Sequence, residues 1–518
     1  MEFLSLAYIL QMISRHWILI LLLTVVLFLY THYTKTFDHF RKLGVPFLKP
    51  SIIFGSMKPR IKQEISLHDF VLQAYDHFAG SPYGGFFEGQ TPILMLRDLE
   101  LIKAVMVKDF DHFTDKAPKN NKNPSFVNKM LINLKGAQWK SVRAILTPTF
   151  SSGKLRNMEN LLQECGKQMT EFLNKRLQDG NSMMEMKELT GRYTLEVMGS
   201  CAFGLDGASL REPEAQFNKM VSSLFFGARK GKTFLTYLFL LCPALFKFLI
   251  TIRSTPKQLD FLQDVVNKTK ADREDPTKRR NDFMQLMVDA AQKEVTKNSE
   301  EKVMTDDMIQ SQAILFILAG FETSSTLLSF VCVTLATMPD LQERLRKDIQ
   351  AAAQKREKDC MYDLINDIAL LDQVISETLR RYPPVAKVER ICTKPYVLPG
   401  TNVQIKVGDT VSIPIAGIMH DPEYYPDPKT FDPDRFSPDE KNQRPSHLYL
   451  PFGIGPRNCI GLRFALMTTK YCIFYLLQQF KLSPCDKTEM PIKFNKTADF
   501  LGFQNGAWLN IQRLDTKN

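Results

Sequence analysis

The chain has 518 residues, 44% hydrophobic, 24% charged and 11% aromatic, which excludes a disordered chain, a collagen-like fibre and a small disulfide scaffold. Lys+Arg 67 against Asp+Glu 56 leaves a net charge of +11, spread rather than gathered in a run, and an anionic membrane surface or an acidic protein partner suits it at least as well as nucleic acid. Nine cysteines, an odd number without any CxxC, read as free thiols in a reducing compartment.

Trp17 to Tyr30 runs WILILLLTVVLFLY with no charge. A bilayer core needs about 20 apolar residues, so one spanning helix from about Ser14 to Tyr33 is predicted. A cleaved signal peptide is the competing reading, but no small-x-small site follows Tyr30. Lys35, Arg41, Lys42 and Lys49 follow the span and Arg15 is the only strong base before it, which keeps the rest of the chain cytosolic. Gly44, Pro46 and Pro50 stiffen and redirect the segment that leaves the membrane. Beyond Pro50 there is no linker, repeat or low-complexity tract. The division read is therefore an anchor over 1–34, a basic proline-containing hinge over 35–50, and one large domain over 51–518, mainly α with small β-sheets.

Helical patterns dominate from about Leu101 to Pro383. Strand-like alternation is found over Phe86–Leu96 and over Val403–Ile415, where Gly408-Asp409 offers a hairpin turn. Phe234–Ile252 reads either as a helical hairpin dipping into the membrane interface or as a buried core helix. Met308–Met338 is predicted as one helix about 45 Å long, with a capped acidic start at Thr305-Asp306-Asp307 and a stop at Pro339. It is apolar nearly all round, which means burial. In its middle lies AGFETSS, Ala319 to Ser325. Back-bonding within the helix would account for the hydroxyls alone. Glu322 is harder to dismiss, because a buried carboxylate needs a partner or a purpose. Gly320 adds a point where the helix can open or be closely approached.

The stretch PFGIGPRNCIG, Pro451 to Gly461, carries the chemistry. Gly453, Gly455 and Pro456 force an irregular loop, and Cys459 falls just before a helical pattern over Leu462–Phe480. A helix N-terminus and the nearby Arg457 favour a thiolate there, a soft metal ligand. No second Cys or His stands nearby for zinc. Haem iron, whose equatorial ligands come from the porphyrin, needs only one protein ligand on this side. A merely buried structural cysteine would need neither the glycines nor the arginine.

The run Phe452-x-x-Gly455-x-Arg457-x-Cys459-x-Gly461 resembles the cysteine loop of the haem-thiolate monooxygenases, the cytochrome P-450 superfamily. Other motifs match in order: Trp139-x-x-x-Arg143, Ala319-Gly320-Phe321-Glu322-Thr323, Glu377-x-x-Arg380, and Phe431 to Phe436 containing Arg435. The resemblance covers essentially everything after the anchor, and the anchor itself is similar to that of the microsomal branch; motif details resemble the animal group with many xenobiotic-metabolising members.

That resemblance implies haem b (iron protoporphyrin IX) held by the axial thiolate of Cys459. Phe452, Gly461 and Ala319 would lie beside it, and Arg457, Trp139, Arg143 and Arg390 would serve its propionates. Thr323 and Glu322 would be catalytic, steering protons to oxygen. Glu377, Arg380 and Arg435 would form a buried supporting triad; by spacing alone Glu377 and Arg380 would pass for a solvated surface pair. Where relatives often carry another propionate arginine this chain has Lys116, which is left out of the site.

Neither GxGxxG nor a P-loop occurs, since Asn458 stands where a third glycine would fall. Electrons would then come from NADPH through a separate flavoprotein reductase, with cytochrome b5 as an accessory partner. Lys135, Lys140 and Arg143 could form the docking face. The expected enzyme is a monooxygenase of lipophilic molecules on the cytosolic face of the endoplasmic reticulum membrane, in contact with lipid and not with nucleic acid. Candidate substrate segments are Phe113–Val127, Phe225–Phe248, Ala313–Thr323, Val385–Val388 and Asp499–Gln504. A haem-thiolate isomerase or dehydratase acting on a hydroperoxide is the nearest rival, and the Glu322-Thr323 pair speaks against it. A haem-binding sensor or carrier without turnover, and an apolar-ligand binder without haem, are the others.

Overall fold

The structure, a computed structural model, describes residues 2–116, 125–204, 209–212, 215–226, 257–296, 303–354, 360–445 and 447–514. The segment Phe234–Ile252 and parts of two candidate substrate segments lie outside them. The N-terminal apolar stretch is one helix, α1 (Glu2–Thr34), with a non-helical residue at His16. It begins earlier than expected, because the preceding apolar residues continue the helix through that kink. The part from Arg15 to Thr34 is long and apolar enough to cross a membrane. Its side chains from Trp17 to Tyr30 stand exposed.

Seven further helices matter for the site: α2 (Leu67–His77), α3 (Gly136–Leu146), α4 (Glu159–Gln178), α5 (Met186–Met198), α6 (Asp306–Thr337), α7 (Ala369–Arg381) and α8 (Leu462–Gln479). The central one, α6, starts as its sequence dictates. The Thr305 side chain accepts from the Met308 amide, and Asp306 and Asp307 occupy the first turn. At about 48 Å it is long enough to pass through the whole domain, and α5, α7 and α8 pack along it. The side chains from Ser324 to Ala336 are buried almost without break. A single helical core surrounds this axis.

A second core lies under the main sheet. The strands are β1 (Tyr83–Glu88), β2 (Thr91–Leu96), β3 (Met183–Glu185), β4 (Val388–Ile391), β5 (Tyr396–Val397), β6 (Gln404–Ile405), β7 (Thr410–Ile413), β8 (Phe480–Pro484) and β9 (Trp508–Arg513). They form sheets ordered β1-β2-β7-β4, β3-β9-β8 and β5-β6. The alternation over Phe86–Leu96 falls in the β1-β2 hairpin, which turns at Gly89-Gln90. One expectation is corrected here. Gly408-Asp409 closes no hairpin: β6 pairs with β5, while β7 pairs in parallel with β2 and antiparallel with β4. The turn hands the chain from one sheet to another, and alternation within a segment cannot report which edge it will join. The chain after α1 is tied to the domain by the Phe47–Gly85 and Gly55–Glu88 bridges.

Candidate functional site

The cysteine loop is shaped by its own backbone. Gly453 and Gly455 have φ of +69° and +72°. A Cβ on Gly455 would stand 1.9 Å from the Met106 carbonyl oxygen, so only glycine fits there. The Cys459 amide donates to the Phe452 carbonyl at 2.9 Å, which closes the loop just ahead of α8. Phe452 packs against the helical core. At Gly461 the nearest atom to an added Cβ is 3.9 Å away, on Phe150, so the chain's own packing does not demand a glycine there. Cys459 is the one exposed thiol among the eight described cysteines.

The electrostatics of that thiol differ from expectation. Burial of its surroundings pushes its pKa above the ordinary value, outweighing the Gly461 amide, Lys116 and Arg143, which favour the thiolate. Arg457 is not among those groups. Its guanidinium turns away from the sulfur, donates to the Leu134 carbonyl at 2.6 Å and lies 4.3 Å from the centre of the Trp139 ring. Lys116, left aside from the sequence, is close enough to act on the sulfur.

Trp139 and Arg143 stand one turn apart on α3 but have different tasks. Arg143 grips the loop itself, with Nη1 on the Asn458 carbonyl and Nη2 on its Oδ1, both at 2.9 Å. It is therefore not part of an outward docking face, whereas Lys135 and Lys140 are exposed. Trp139 is buried under Arg457 and packs beside Phe110 at 5.6 Å between ring centres. Arg390, from β4, gives Nη1 to the Glu389 carbonyl.

Arg457 and Arg390 are buried, and among the described residues neither has a bidentate carboxylate; Asp115 reaches Arg457 only at 3.9 Å. Burial, then Arg390 and Arg143 nearby, pulls the Arg457 pKa down to about 9, and burial alone pulls Arg390 to about 10. A guanidinium keeps its proton in proteins. The depression therefore reports chiefly the burial of two guanidiniums, with like charge from Arg390 and Arg143 adding to it at Arg457. Arg457 Nε and Nη1 and Arg390 Nε are buried donors with no acceptor among the described residues.

On α6, Leu315, Ala319 and Thr323 form a stripe at helical spacing that is not packed shut, and Leu318, Gly320 and Glu322 beside it are also only partly buried. The Thr323 hydroxyl donates to the Ala319 carbonyl at 2.6 Å, the back-bond that Ser and Thr commonly make in helices. Glu322 does not contact Thr323. Its Oε1 meets Lys187 Nζ, from α5, at 3.2 Å. The ammonium also donates to the Glu322 carbonyl, Ser325 Oγ and Thr326 Oγ1. The sequence reading missed Lys187, which lies 135 residues away in the chain. Its one signal was a cation in the first turn of a helix, where the dipole disfavours it. Among the described residues no hydrogen bond or ion pair links the α6 stripe to the cysteine loop.

Glu377 and Arg380 are not a surface pair. Both side chains are 0% exposed, and the guanidinium holds both carboxylate oxygens, at 2.6 and 2.8 Å. Arg380 also donates to the Met419 and Pro428 carbonyls. Glu377 accepts from the Asp432 amide at 3.0 Å, and Arg435 Nε stands 3.7 Å from it. The carboxylate thus pins the segment that leads towards the cysteine loop.

A solitary exposed cysteine on a glycine-shaped loop, backed by buried guanidiniums with unused donors, defines the protein side of a haem-thiolate centre. The chain belongs to the cytochrome P450 family, whose sequence model matches residues 45–507. It is 39% identical over 516 residues to cytochrome P450 9e2 of Blattella germanica, covering 94% of this chain and 96% of that one. Cytochrome P450 6a8 of Drosophila melanogaster is 35% identical over 501 residues, with 95% and 97% covered. Cytochrome P450 6k1 of Blattella germanica is 35% identical over 508 residues, with 95% and 96% covered. Proteins of this family bind haem b through an axial cysteine thiolate, and this chain is accordingly an oxidoreductase of the monooxygenase type. The residues fit that group: Cys459 offers the open sulfur, and the unsatisfied Arg457 and Arg390 donors suit two carboxylates.

Proposed function

We propose that this protein is a membrane-anchored monooxygenase of lipophilic molecules, working on the cytosolic face of the endoplasmic reticulum. It would draw electrons from NADPH through a separate flavoprotein reductase, with cytochrome b5 as an accessory donor. The observation that carries the reading is the exposed Cys459 beside the Arg457–Arg390 cluster and its unused donors. When bound, the haem supplies the reductive activation of dioxygen and the transfer of one oxygen atom to the substrate.

In this reading Cys459 would give its thiolate to the haem iron, and Arg143 holds the loop that presents it. Arg457, supported on Trp139, and Arg390 would take the haem carboxylates, and Phe452, Gly461 and Ala319 would lie against the group. Lys116 adds a further cation near the sulfur. Thr323 leaves its bond to the Ala319 carbonyl to hold a water at the oxygen-binding side, and Glu322 passes protons towards that water. Glu377, Arg380 and Arg435 keep the loop's approach rigid. The exposed Lys135 and Lys140 give an acidic reductase a surface to meet, and α1 keeps the domain at the membrane, where lipophilic molecules are concentrated. The domain division of the sequence is kept as read, with an anchor over 1–34, a segment over 35–50 leading from it, and the enzymatic domain over 51–518.

The test is reconstitution with added reductase, measuring NADPH consumed and oxygenated product together for a panel of lipophilic compounds that shift the haem spectrum. Product tied to NADPH and dioxygen supports a monooxygenase. Hydroperoxide rearrangement without NADPH, or haem binding without any turnover, would overturn it.

A further inference from the structure

The contact between α5 and α6 contains one charged pair among hydroxyl groups. Thr190 Oγ1 donates to the Ser325 carbonyl at 3.0 Å and meets Ser329 Oγ at the same distance, and Gly320 sits tightly against Met198. These neutral contacts suffice to dock two helices. Lys187 adds a charge that such docking does not require. Its ammonium makes four contacts with a single turn of α6, one of them to the Glu322 carboxylate. The two side chains are 17% and 14% exposed, so the pair is only weakly screened by water.

Glu322 has no second support. Its Oε2 is buried and without a partner among the described residues. The other charge acting on Lys187 is Glu185 on β3, which is occupied by the amides of Glu188 and Ala507. Glu188 on α5 is occupied by Arg192. The orientation of the Glu322 carboxylate is thus set from one side, by one ammonium.

We propose that Lys187 is a positioning residue for Glu322, holding its carboxylate turned to the α5 side of α6, off the Leu315–Ala319–Thr323 stripe. The inference rests on the proton role given to Glu322 above. Glu322 then has to loosen its contact with Lys187 each time it serves Thr323, and Lys187 restores it afterwards. Burial pulls the Lys187 pKa below its ordinary value, and the Glu322 carboxylate opposes that shift, so each charge supports the other.

The experiment compares Lys187→Gln, Lys187→Arg and Glu322→Gln in the full-length holoprotein. Glutamine keeps donors for Ser325 and Thr326 but loses the charge, whereas arginine keeps the charge. Product per NADPH is followed against pH, with haem content, the carbon monoxide spectrum and thermal stability measured alongside. Lys187→Gln should lower product per NADPH by roughly threefold or more. Its coupling and its melting temperature should both gain a titration where a buried, unpaired carboxyl ionises, above the ordinary glutamate range. Lys187→Arg should show neither change, and Lys187→Gln/Glu322→Gln should lose the titration. If Glu322→Gln is impaired but Lys187→Gln follows the parent at every pH, the positioning role is wrong and the proton role stands. If Glu322→Gln couples like the parent, the proton role itself is wrong and this inference falls with it. Should Lys187→Gln fail to load haem, the melting-temperature titration of Lys187→Gln against its double variant, read on the haem-free protein, decides the pairing.

Discussion

Replacing Arg380 by leucine removes one half of a fully buried ion pair. In the native chain its guanidinium gives Nε and Nη2 to Glu377 at 2.6 and 2.8 Å, and holds the Met419 and Pro428 carbonyls at 2.8 and 2.9 Å. Leucine fills much of the space but leaves the Glu377 carboxylate with only the Asp432 amide at 3.0 Å and Arg435 at 3.7 Å. Stranding a buried charge costs about 3–5 kcal/mol, and the residual Arg435 contact places this case near the lower end. Unfolding entropy summed over a chain of this length is roughly 1 kcal/mol per kelvin, so the melting temperature should fall by about 3 °C. Haem retention should fall with it, because the pinned segment leads to the cysteine loop. Removing both charges in Glu377→Leu/Arg380→Leu should recover part of the loss. Circular dichroism melting and the haem content of the purified proteins give the answer. An Arg380→Leu protein as stable and as haem-replete as the parent, or a double variant much worse than the single, would refute the argument.

Thr323→Ala should keep the carbon monoxide spectrum and NADPH consumption while diverting electrons to peroxide; unchanged product per NADPH would leave the hydroxyl with only its bond to the Ala319 carbonyl. Burial holds His68 near pKa about 4 against 6.5 in the unfolded chain, with Asp69 opposing and Arg381 reinforcing the shift. The unfolded state therefore binds the extra proton first, and stability falls as pH drops below 6.5, levelling off near 4. This group alone should cost about 1.4 kcal/mol between pH 7.5 and 5.5; a His68→Phe protein with the same acid slope would clear His68. Deleting residues 2–34 should release much of the protein from membranes in a fractionation assay without loss of haem binding, and a truncated protein that resists carbonate extraction would refute a single anchor.

The parts of the fold visible in the sequence were those fixed within one segment. Thr305 with Asp306 and Asp307 placed the start of α6 to within two residues, and Gly453 and Gly455 marked an irregular loop that their positive φ values require. What depends on distant partners was not visible. The parallel pairing of β7 with β2 joins segments more than 300 residues apart, so Gly408-Asp409 passed for a hairpin turn. Arg457 was expected to act on the sulfur two residues away, but its long side chain reaches instead for the Leu134 carbonyl and the Trp139 ring. Arg143 was expected to serve carboxylates together with Trp139, yet its fork matches the Asn458 carbonyl and side-chain oxygen. The spacing of Glu377 and Arg380 allowed either a surface pair or a buried one, and only burial by the rest of the chain decides between them. Glu322 read correctly as a carboxylate in need of a partner, and nothing local to it could name Lys187.

Ligation of haem iron by Cys459 can be decided by one spectrum, that of the reduced protein with carbon monoxide, recorded for the parent and for Cys459→His. The parent should show the strongly red-shifted Soret band of thiolate ligation, and the variant should lose that band even where it retains haem. The same red-shifted band in the Cys459→His protein would contradict the assignment.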